Sequence, residues 1–318
     1  MMQRADATSP SSVLVGGEAL YDLVLGQEDD AMRAHPGGGP FNTARTIGRL
    51  GQPVAFLGRL SSDRFGATMR KMLAQDGVAL DALVTTDEPT TLALAEVDAD
   101  GVARYRFYER GTSAPGLTPE AALAVLPPDV GILHVGTLGL ALEPMASALE
   151  AVVERLSGPA LVMVDPNVRP WVIPDRDAYL RRLRRVLERT HVVKVSEEDL
   201  AWLDPDRPPP DAARALLDLG PTVALLTLGG EGALAVTAAG ELRVPAPTVA
   251  VVDTIGAGDA FGGGFVAWWR ERGLGPDALR DDDLVEQATR QAVLVAALTC
   301  AQPGASPPFA SDLQTVDR

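Results

Sequence analysis

The chain is poor in the residues on which several common functional sites depend. It has only two lysines, Lys71 and Lys194, and one cysteine, Cys300, among 318 residues. Neither lysine lies in a GxxxxGK[ST] segment, so the protein is not a P-loop NTPase. One cysteine excludes an intrachain disulfide, a CxxC redox pair and a cysteine-based zinc cluster.

Positive charge and long apolar runs are also scarce. The formal net charge is −15, from 28 basic and 43 acidic residues. This balance argues against a general nucleic-acid partner, because phosphate backbones need a basic face. No stretch approaches the ~18 uninterrupted apolar residues of a membrane span, and residues 1–12 lack the apolar run of a signal peptide. We therefore expect a cytoplasmic protein with neither nucleic-acid nor membrane partners.

What the chain does contain is a regular alternation of short apolar runs and helical patterns. The apolar runs predict strands at Ser12–Gly16, Val54–Leu60, Gly131–Val135, Ala160–Val164, His191–Val195, Thr222–Leu228 and Val249–Val252. The helical patterns are Pro40–Leu50, Arg64–Asp76, Pro144–Leu156, Asp177–Arg189, Glu197–Leu203, Asp211–Leu219, Gly258–Glu271 and Asp283–Thr299. This alternation predicts a three-layer α/β fold, with a mostly parallel sheet covered by helices on both faces. We expect one domain over residues 1–318.

One segment interrupts the alternation. Residues 91–97 and 102–108 read as two strands joined through Asp100-Gly101, a strong hairpin-turn signal. The second strand alternates basic and aromatic side chains. Such an antiparallel insertion, at about residues 88–110, is interpretable as a lid, as a dimer edge or as a plain surface hairpin.

The strongest local motif is DTIGAGD, residues 253–259. It reads as a strand end, a glycine-rich turn and then a helix, so free N–H groups would face an anion at the helix N-terminus. Asp259 then has two interpretations: a helix-capping carboxylate, or a general base beside an anion hole. A dinucleotide fingerprint fails, because Phe261 stands where GxGxxG needs glycine and the loop comes late in the chain.

A second glycine-rich segment, HPGGGPFN at residues 35–42, also precedes a helix. Asn42 would lie in the first helical turn, where its amide offers one acceptor and two donors. Asp22 lies just past the first predicted strand, at the sheet edge where ligands bind in open α/β folds. Together Asp22 and Asn42 would suit recognition of a polyol, although each alone could be an ordinary turn or helix-end residue.

Together, these motifs resemble those of the ribokinase-like (pfkB) carbohydrate kinases, and most of all the bacterial fructokinases in that family. The two signatures are GGGPFNTA at 37–44 and DTIGAGDAF at 253–261, in the expected order. Between them lie DPNVRP at 165–170, KVSEED at 194–199 and TLGGEG at 227–232, which are similar to the family's DPNxR, NxxE and TxGxxG segments.

The resemblance implies a ribokinase-like fold with a small β lid over the sugar, through which relatives can also form homodimers. It implies an ATP-dependent sugar kinase that uses Mg²⁺ and a monovalent cation such as K⁺, with fructose as the expected substrate. Other small alcohols, such as 2-keto-3-deoxygluconate, ribose or a nucleoside, remain alternatives, as does a catalytically silent sugar-binding protein.

The resemblance also assigns roles to individual residues. They are Asp259 as the base; Gly256, Ala257 and Gly258 as the anion hole; Asp22, Gly38, Gly39 and Asn42 as sugar contacts; Asn167 and Arg169 near the phosphates; Thr227, Gly229 and Gly232 at the nucleotide; and Asp253 with the Ile255 carbonyl at the monovalent cation. The NxxE segment departs from the family pattern, with Ser196 in place of Asn and Asp199 in place of Glu. Asp199 keeps the charge associated with Mg²⁺ but is one methylene shorter.

Overall fold

The computed structural model describes residues 12–25, 32–97, 103–158 and 160–313. Within them, the strands are β1 (Ser12–Gly16), β2 (Leu20–Leu25), β3 (Met32–Gly37), β4 (Val54–Ser61), β5 (Val78–Ala79), β6 (Leu83–Thr86), β7 (Leu92–Val97), β8 (Ala103–Tyr108), β9 (Val130–Gly136), β10 (Leu161–Asp165), β11 (Val192–Ser196), β12 (Val223–Thr227), β13 (Ala233–Val236) and β14 (Glu241–Val244). The helices are α1 (Gly39–Arg49), α2 (Arg64–Gln75), α3 (Pro119–Ala124), α4 (Met145–Leu156), α5 (Arg176–Leu187), α6 (Glu197–Leu203), α7 (Pro209–Leu217), α8 (Ala257–Glu271), α9 (Asp282–Cys300) and α10 (Ala310–Leu313).

The larger sheet runs in the order β14-β13-β12-β11-β10-β9-β1-β4-β5, with β6 also paired to β4. Every pair from β12 to β5 is parallel, and the two pairs that join β12, β13 and β14 are antiparallel. The predicted mostly parallel sheet is therefore confirmed. Its carboxyl-terminal edge gathers the segments that follow β1, β9, β10, β11 and β12.

Helices cover both faces of this sheet because its strands are apolar on both sides. In β1, Leu14 packs with one buried cluster while Val13 and Val15 pack with the other. The first cluster includes side chains of α4, α5, α6 and α7, and the second includes side chains of α1, α2, α8 and α9. The α/β class with two covered faces follows directly from the near-continuous apolar strands.

The second sheet has four strands in the order β3-β2-β7-β8. Strands β7 and β8 pair antiparallel, as the hairpin signal predicts, and the predicted turn at Asp100-Gly101 lies outside the described residues. The prediction was incomplete, however, because β2 and β3 belong to the same sheet. Their segments have neither the tight turn nor the strict alternation that distinguishes a hairpin in the sequence.

The structure contradicts one predicted strand. Residues Val249–Val252 are not in a sheet, and Val251 and Val252 are 65% and 61% exposed. Pro245 and Pro247 precede them and cannot donate a ladder hydrogen bond, which disfavours continuing the sheet past β14. Instead, the Val252 N–H donates to the carbonyl of Cys300 at the end of α9. No helix among the described residues is long and apolar enough to cross a membrane.

Candidate active site

The N-terminus of α8, the predicted anion site, has no side-chain cap. The helix begins at Ala257, one residue earlier than predicted, and its N-cap residue, Gly256, has φ 77° and offers no side-chain cap. A Cβ at Gly256 would lie 2.6 Å from the Cβ of Ala305, so both the backbone angle and the space require glycine. The Ala257 N–H donates to the Thr254 carbonyl at 3.3 Å. No side chain caps the helix, so the next amides, of Gly258 and Asp259, are available to a ligand.

Asp259 lies in the first turn of α8 and faces α1. Its Oδ2 accepts a 2.9 Å hydrogen bond from Asn42 Nδ2, and its backbone carbonyl accepts one from the Thr43 hydroxyl. Burial raises the pKa of Asp259 to about 6, against the lowering effect of the Asn42 bond. The carboxylate bonds to a side chain on α1 and not to its own helix amides, which weakens the capping interpretation.

The amide of Asn42 is itself only half satisfied. Asn42 is 5% exposed, and its Oδ1 has no hydrogen-bond partner among the described residues. A buried acceptor without a partner is uncommon in folded proteins and calls for an explanation. One that stands beside a carboxylate with a raised pKa fits a site for a hydroxyl-bearing ligand.

The structure brings Asp22 to the same place, by a different route from the one predicted. Asp22 lies within β2 of the small sheet, not in a turn after β1. Burial, followed by the negative charge of Asp259, raises the pKa of Asp22 to about 6, and Arg169 counters this rise. Asp22, Arg169 and Asp259 are therefore close enough to interact, although they come from the small sheet, the segment after β10 and helix α8.

The two glycines at the start of α1 are required by close contacts. Gly38 has φ 107°, and a Cβ there would lie 2.6 Å from the carbonyl oxygen of Glu18. A Cβ on Gly39 would lie 2.6 Å from Thr137 Cγ2 and 3.1 Å from Asp259 Oδ1. The backbone of Gly39 therefore lies directly against Asp259, and a ligand that touches one can reach the other.

A buried ion pair lies beneath the first turn of α8. Lys194 Nζ donates a 2.7 Å hydrogen bond to Asp165 Oδ2, and both side chains are at most 5% exposed. A Cβ on Gly258 would lie 3.4 Å from Lys194 Nζ, which places the ammonium under the predicted anion hole. Asp165 Oδ1 has no partner among the described residues. Lys194 lowers the pKa of Asp259 and Asp165 raises it.

Asp199 connects two of the predicted motifs. Its Oδ2 accepts from the N–H and hydroxyl of Ser196, and the Asp199 N–H donates back to that hydroxyl, which closes a capping box at the start of α6. Its Oδ1 accepts a 2.6 Å bond from the Val168 N–H. Val168 stands between Asn167, whose φ is 37°, and Arg169. The buried Asp199 carboxylate thus holds the segment that carries both predicted phosphate residues.

The predicted nucleotide residues begin with Thr227, the last residue of β12, next to the strand that carries Lys194. The Thr227 hydroxyl donates to the Val195 carbonyl at 3.3 Å. Gly229 has φ 53°, and a side chain there would point into open space. Gly232 has φ 101°, and a Cβ there would lie 2.1 Å from the carbonyl oxygen of Val244. The close packing of this residue against β14 therefore requires glycine.

The predicted cation residues lie in the loop before α8. Asp253 accepts from the Ile255 N–H at 3.0 Å and from the Gly304 N–H at 2.9 Å, so it ties this loop to the segment after α9. Across the described residues, no three His, Cys, Asp or Glu side chains are grouped so that they could hold a metal ion. A cation here would therefore be bound by backbone carbonyl oxygens as well as by Asp253. Cations that prefer oxygen ligands bind to both kinds of group.

Comparison with known proteins assigns this arrangement to a family. The model of the pfkB family carbohydrate kinases matches residues 10–312. The chain belongs to that family. A fructokinase of Rhizobium leguminosarum bv. trifolii is 35% identical over 260 residues, which cover 80% of this chain and 78% of the relative.

Solved structures of carbohydrate and nucleoside kinases share the fold. Fructokinase from Xylella fastidiosa with bound ATP matches with a TM-score of 0.89 at 27% identity, covering 97% of this chain and 98% of that one. Aminoimidazole riboside kinase from Salmonella enterica, complexed with aminoimidazole riboside and an ATP analogue, matches with a TM-score of 0.84 at 28% identity, covering 96% of this chain and 99% of that one. The predicted family and the ribokinase-like fold are confirmed.

In this carbohydrate kinase, sequence reasoning overlooked part of the site. Lys194 and Asp165 lie in the motifs at 194–199 and 165–170, but the motifs did not predict their ion pair, and neither Glu18 nor Thr137 was predicted as part of the site. The available signal for Glu18 was an acidic residue directly after a buried strand and two glycines. Thr137, at φ 53°, carries no sequence signal, because its conformation is set by tertiary contacts.

Proposed function

We propose that this kinase transfers the γ-phosphate of ATP to a hydroxyl of fructose. The observation that carries the proposal is the meeting of Asp259, Asn42 and Asp22 beside the uncapped N-terminus of α8. A carboxylate with a raised pKa can accept a proton, and helix amides can stabilise the charge that develops on the transferred group. The fructokinase relatives favour fructose among the possible acceptors.

In this proposal, each cluster of residues has a distinct task. Asp22, Gly38, Gly39 and Asn42 hold the sugar under the small sheet, which acts as a lid. Asp259 accepts the proton of the attacking hydroxyl, while the amides of Gly256, Ala257 and Gly258 face the phosphoryl group. Arg169 suits the phosphates because its planar guanidinium can bind two oxygens at once, and Asn167 lies beside it.

In this proposal, ATP binds between the segment after β12 and the loop before α8. Thr227, Gly229 and Gly232 would contact it from the first segment, where a side chain on Gly229 would meet only open space. In the loop, Val251, Val252 and Ile255 are each more than half exposed, and they would offer an apolar face to the base. Exposed apolar residues grouped in this way commonly mark a binding site.

Two cations accompany the proposed reaction. Mg²⁺ would neutralise charge on the transferred phosphates, as it does in other phosphotransferases. Asp199 stays a candidate for organising Mg²⁺, but its two oxygens already accept protein hydrogen bonds, which favours an indirect role. Asp253 and the Ile255 carbonyl would hold a monovalent cation such as K⁺.

We also propose a single-domain cytoplasmic enzyme that can form homodimers through its lid.

The test is a panel of acceptors with detection of ADP by a coupled assay. Fructose, ribose, 2-keto-3-deoxygluconate and a riboside are compared at equal concentrations with ATP and Mg²⁺. The riboside is included because the aminoimidazole riboside kinase shares the fold over nearly the whole chain. Fructose should give the highest kcat/KM. A preference for another acceptor would reject fructose, and no turnover with any acceptor would reject the assignment of an active sugar kinase.

A further inference from the structure

Glu18 is a buried carboxylate at the junction between the central sheet and the small sheet. It lies between β1 and β2, and the residue is 2% exposed. Charged residues are seldom so deeply buried unless they are paired. Among the described residues, however, no lysine or arginine forms an ion pair with it. Glu18 is therefore a buried acid without a neutralising basic partner among the described residues, and packing alone does not explain why an acid is there.

The Glu18 carboxylate accepts hydrogen bonds from three separate donors. Its Oε1 accepts from the Gly39 N–H at 3.3 Å and from the Thr137 hydroxyl, and its Oε2 accepts from the Gly139 N–H at 3.1 Å. Only an ionised carboxylate can accept on both oxygens and donate on neither. Glu18 thus links the segment between β1 and β2, to which it belongs, with the start of α1 and the segment after β9.

These contacts lead directly to the catalytic centre. The Gly39 backbone lies against Asp259, and the methyl group of Thr137 lies against Gly39. Losing the Glu18 carboxylate would release Thr137 and the first amide of α1 together. The glycine backbone proposed to contact the sugar would then lose its fixed position relative to the base.

We propose that Glu18 is a positioning residue for the sugar, which acts in its ionised form by holding Gly39 and Thr137 against Asp259. This inference rests on the proposed sugar-kinase function and adds to it a residue that does not itself touch the reacting atoms. It predicts that sugar binding depends on a protonation step outside the catalytic base.

The environment of Glu18 places that protonation step near neutral pH. Burial raises the pKa of Glu18 to about 7, and the negative charge of Asp259 on α8 adds to the rise. The groups that face it from α1 and from residues 137–139 are neutral donors, and they favour the ionised form. Protonation below pH 7 removes one acceptor, so we expect the KM for the sugar to rise as the pH falls.

The first test is Glu18→Gln, assayed with whichever sugar the wild-type enzyme phosphorylates. An amide can accept on one oxygen only, so its NH₂ group must face one of the N–H donors. The KM for the sugar should rise roughly tenfold, as expected for losing one buried hydrogen bond, while kcat changes less. The pH dependence of this KM across neutrality should disappear. Exposed Glu120→Gln on α3 is the matched control and should match the wild type.

The second test is Thr137→Val, which keeps the shape but removes one donor that favours the ionised carboxylate. The pH at which the KM changes should move upward from that of the wild type. A purely structural role would lower the amount of folded enzyme in both variants without moving the KM or its pH dependence. That result, or a wild-type KM profile in Glu18→Gln, would overturn the proposal.

A substrate-free measurement separates this inference from the choice of sugar. Carboxyl ¹³C NMR of the ligand-free enzyme should show one glutamate that titrates near pH 7 and is missing in Glu18→Gln. If all glutamates titrate at ordinary values, the predicted pH dependence of the KM is wrong even when fructose is phosphorylated, and the KM of Glu18→Gln alone decides the positioning role. If Glu18 titrates as expected but no sugar is phosphorylated, it is the proposed function that fails.

Discussion

Asp259 illustrates how much a single residue gains from its tertiary neighbours. In its loop it could be a cap or a base, and both interpretations use the same helix N-terminus. The structure directs its side chain to Asn42 on another helix and places Asp22, Asp165 and Lys194 within electrostatic reach. A helix cap would need none of these groups.

Replacing Asp259 by asparagine should separate binding from chemistry. The amide keeps an oxygen for Asn42 but cannot accept a proton, so kcat should fall by ~10²–10⁴ while the KM values for sugar and ATP change little. Steady-state kinetics measures both quantities. Asp206→Asn, in an exposed loop, is the charge-matched control. Turnover close to that of the wild type in Asp259→Asn would remove Asp259 as the base.

The pH dependence of the reaction should report the same carboxylate. Because the base must be ionised and its pKa is raised to about 6, kcat/KM of Glu18→Gln, which lacks the Glu18 titration, should fall as the pH drops through about 6. The negative charge of Asp165 contributes to the raised pKa of Asp259. In Asp165→Asn, the fall of kcat/KM at acid pH should therefore occur at a lower pH. Circular dichroism checks that this variant is folded, since Lys194 loses its partner. If kcat/KM of this variant fell at a higher pH instead, Asp165 would not be raising the pKa of Asp259.

At the scale of elements, Asp199 shows how one motif supports another. Replacing it by alanine would leave the Val168 and Ser196 N–H groups without an acceptor in a buried region. We expect a loss of about 2 kcal/mol in the free energy of unfolding, from urea denaturation. Its exposed neighbour, Glu198→Ala, should stay within about 0.5 kcal/mol of the wild type. Equal stability of both variants would show that the Asp199 bonds contribute nothing net.

Helix α8 contains three consecutive glycines, and the structure distinguishes between two of them. A Cβ on Gly263 would lie 2.6 Å from Thr46 Cβ on α1, whereas one on Gly262 would meet His134 Nε2 at 3.4 Å. Gly263→Ala should therefore destabilise the protein by about 1–3 kcal/mol through overpacking. Gly262→Ala should be neutral or stabilising, because alanine is the better helix former. Thermal denaturation of both variants tests the difference, and the reverse order would refute the close approach of α1 and α8.

For the whole molecule, the buried acids should make the ligand-free protein less stable at higher pH. Glu18, whose pKa rises from 4.5 to about 7, adds stability that is fully present below pH 4.5 and lost as the pH rises through 7. Asp22 and Asp259 act in the same direction in a window that ends near pH 6. The free energy of unfolding should therefore decrease from pH 5 to pH 8, and less steeply in Glu18→Gln. An increase over this range would contradict the raised pKa values.

The fold was largely predictable because its signals are local. Apolar runs with intervening helical patterns located the parallel strands β1, β4, β9, β10, β11 and β12, and the Asp100-Gly101 signal located the β7–β8 pair. The predicted strand at Val249–Val252 was wrong because a short apolar run is also compatible with an exposed irregular segment. Strands β2 and β3 were missed because β2 pairs with β7, which is distant in the chain, and β3 joins the sheet through β2.

The sequence by itself determined the family and the α/β class, and it predicted the residue types of the candidate site, because glycine-rich turns and carboxylates at helix starts are encoded within a few neighbouring residues. Only the tertiary structure decided which groups share one environment. It placed Asp22 in the small sheet, made the Asp199 carboxylate an acceptor for the Val168 N–H, and placed Glu18 and the Lys194–Asp165 pair around Asp259. Burial and charge depend on distances between segments far apart in the chain, and no local pattern encodes those distances.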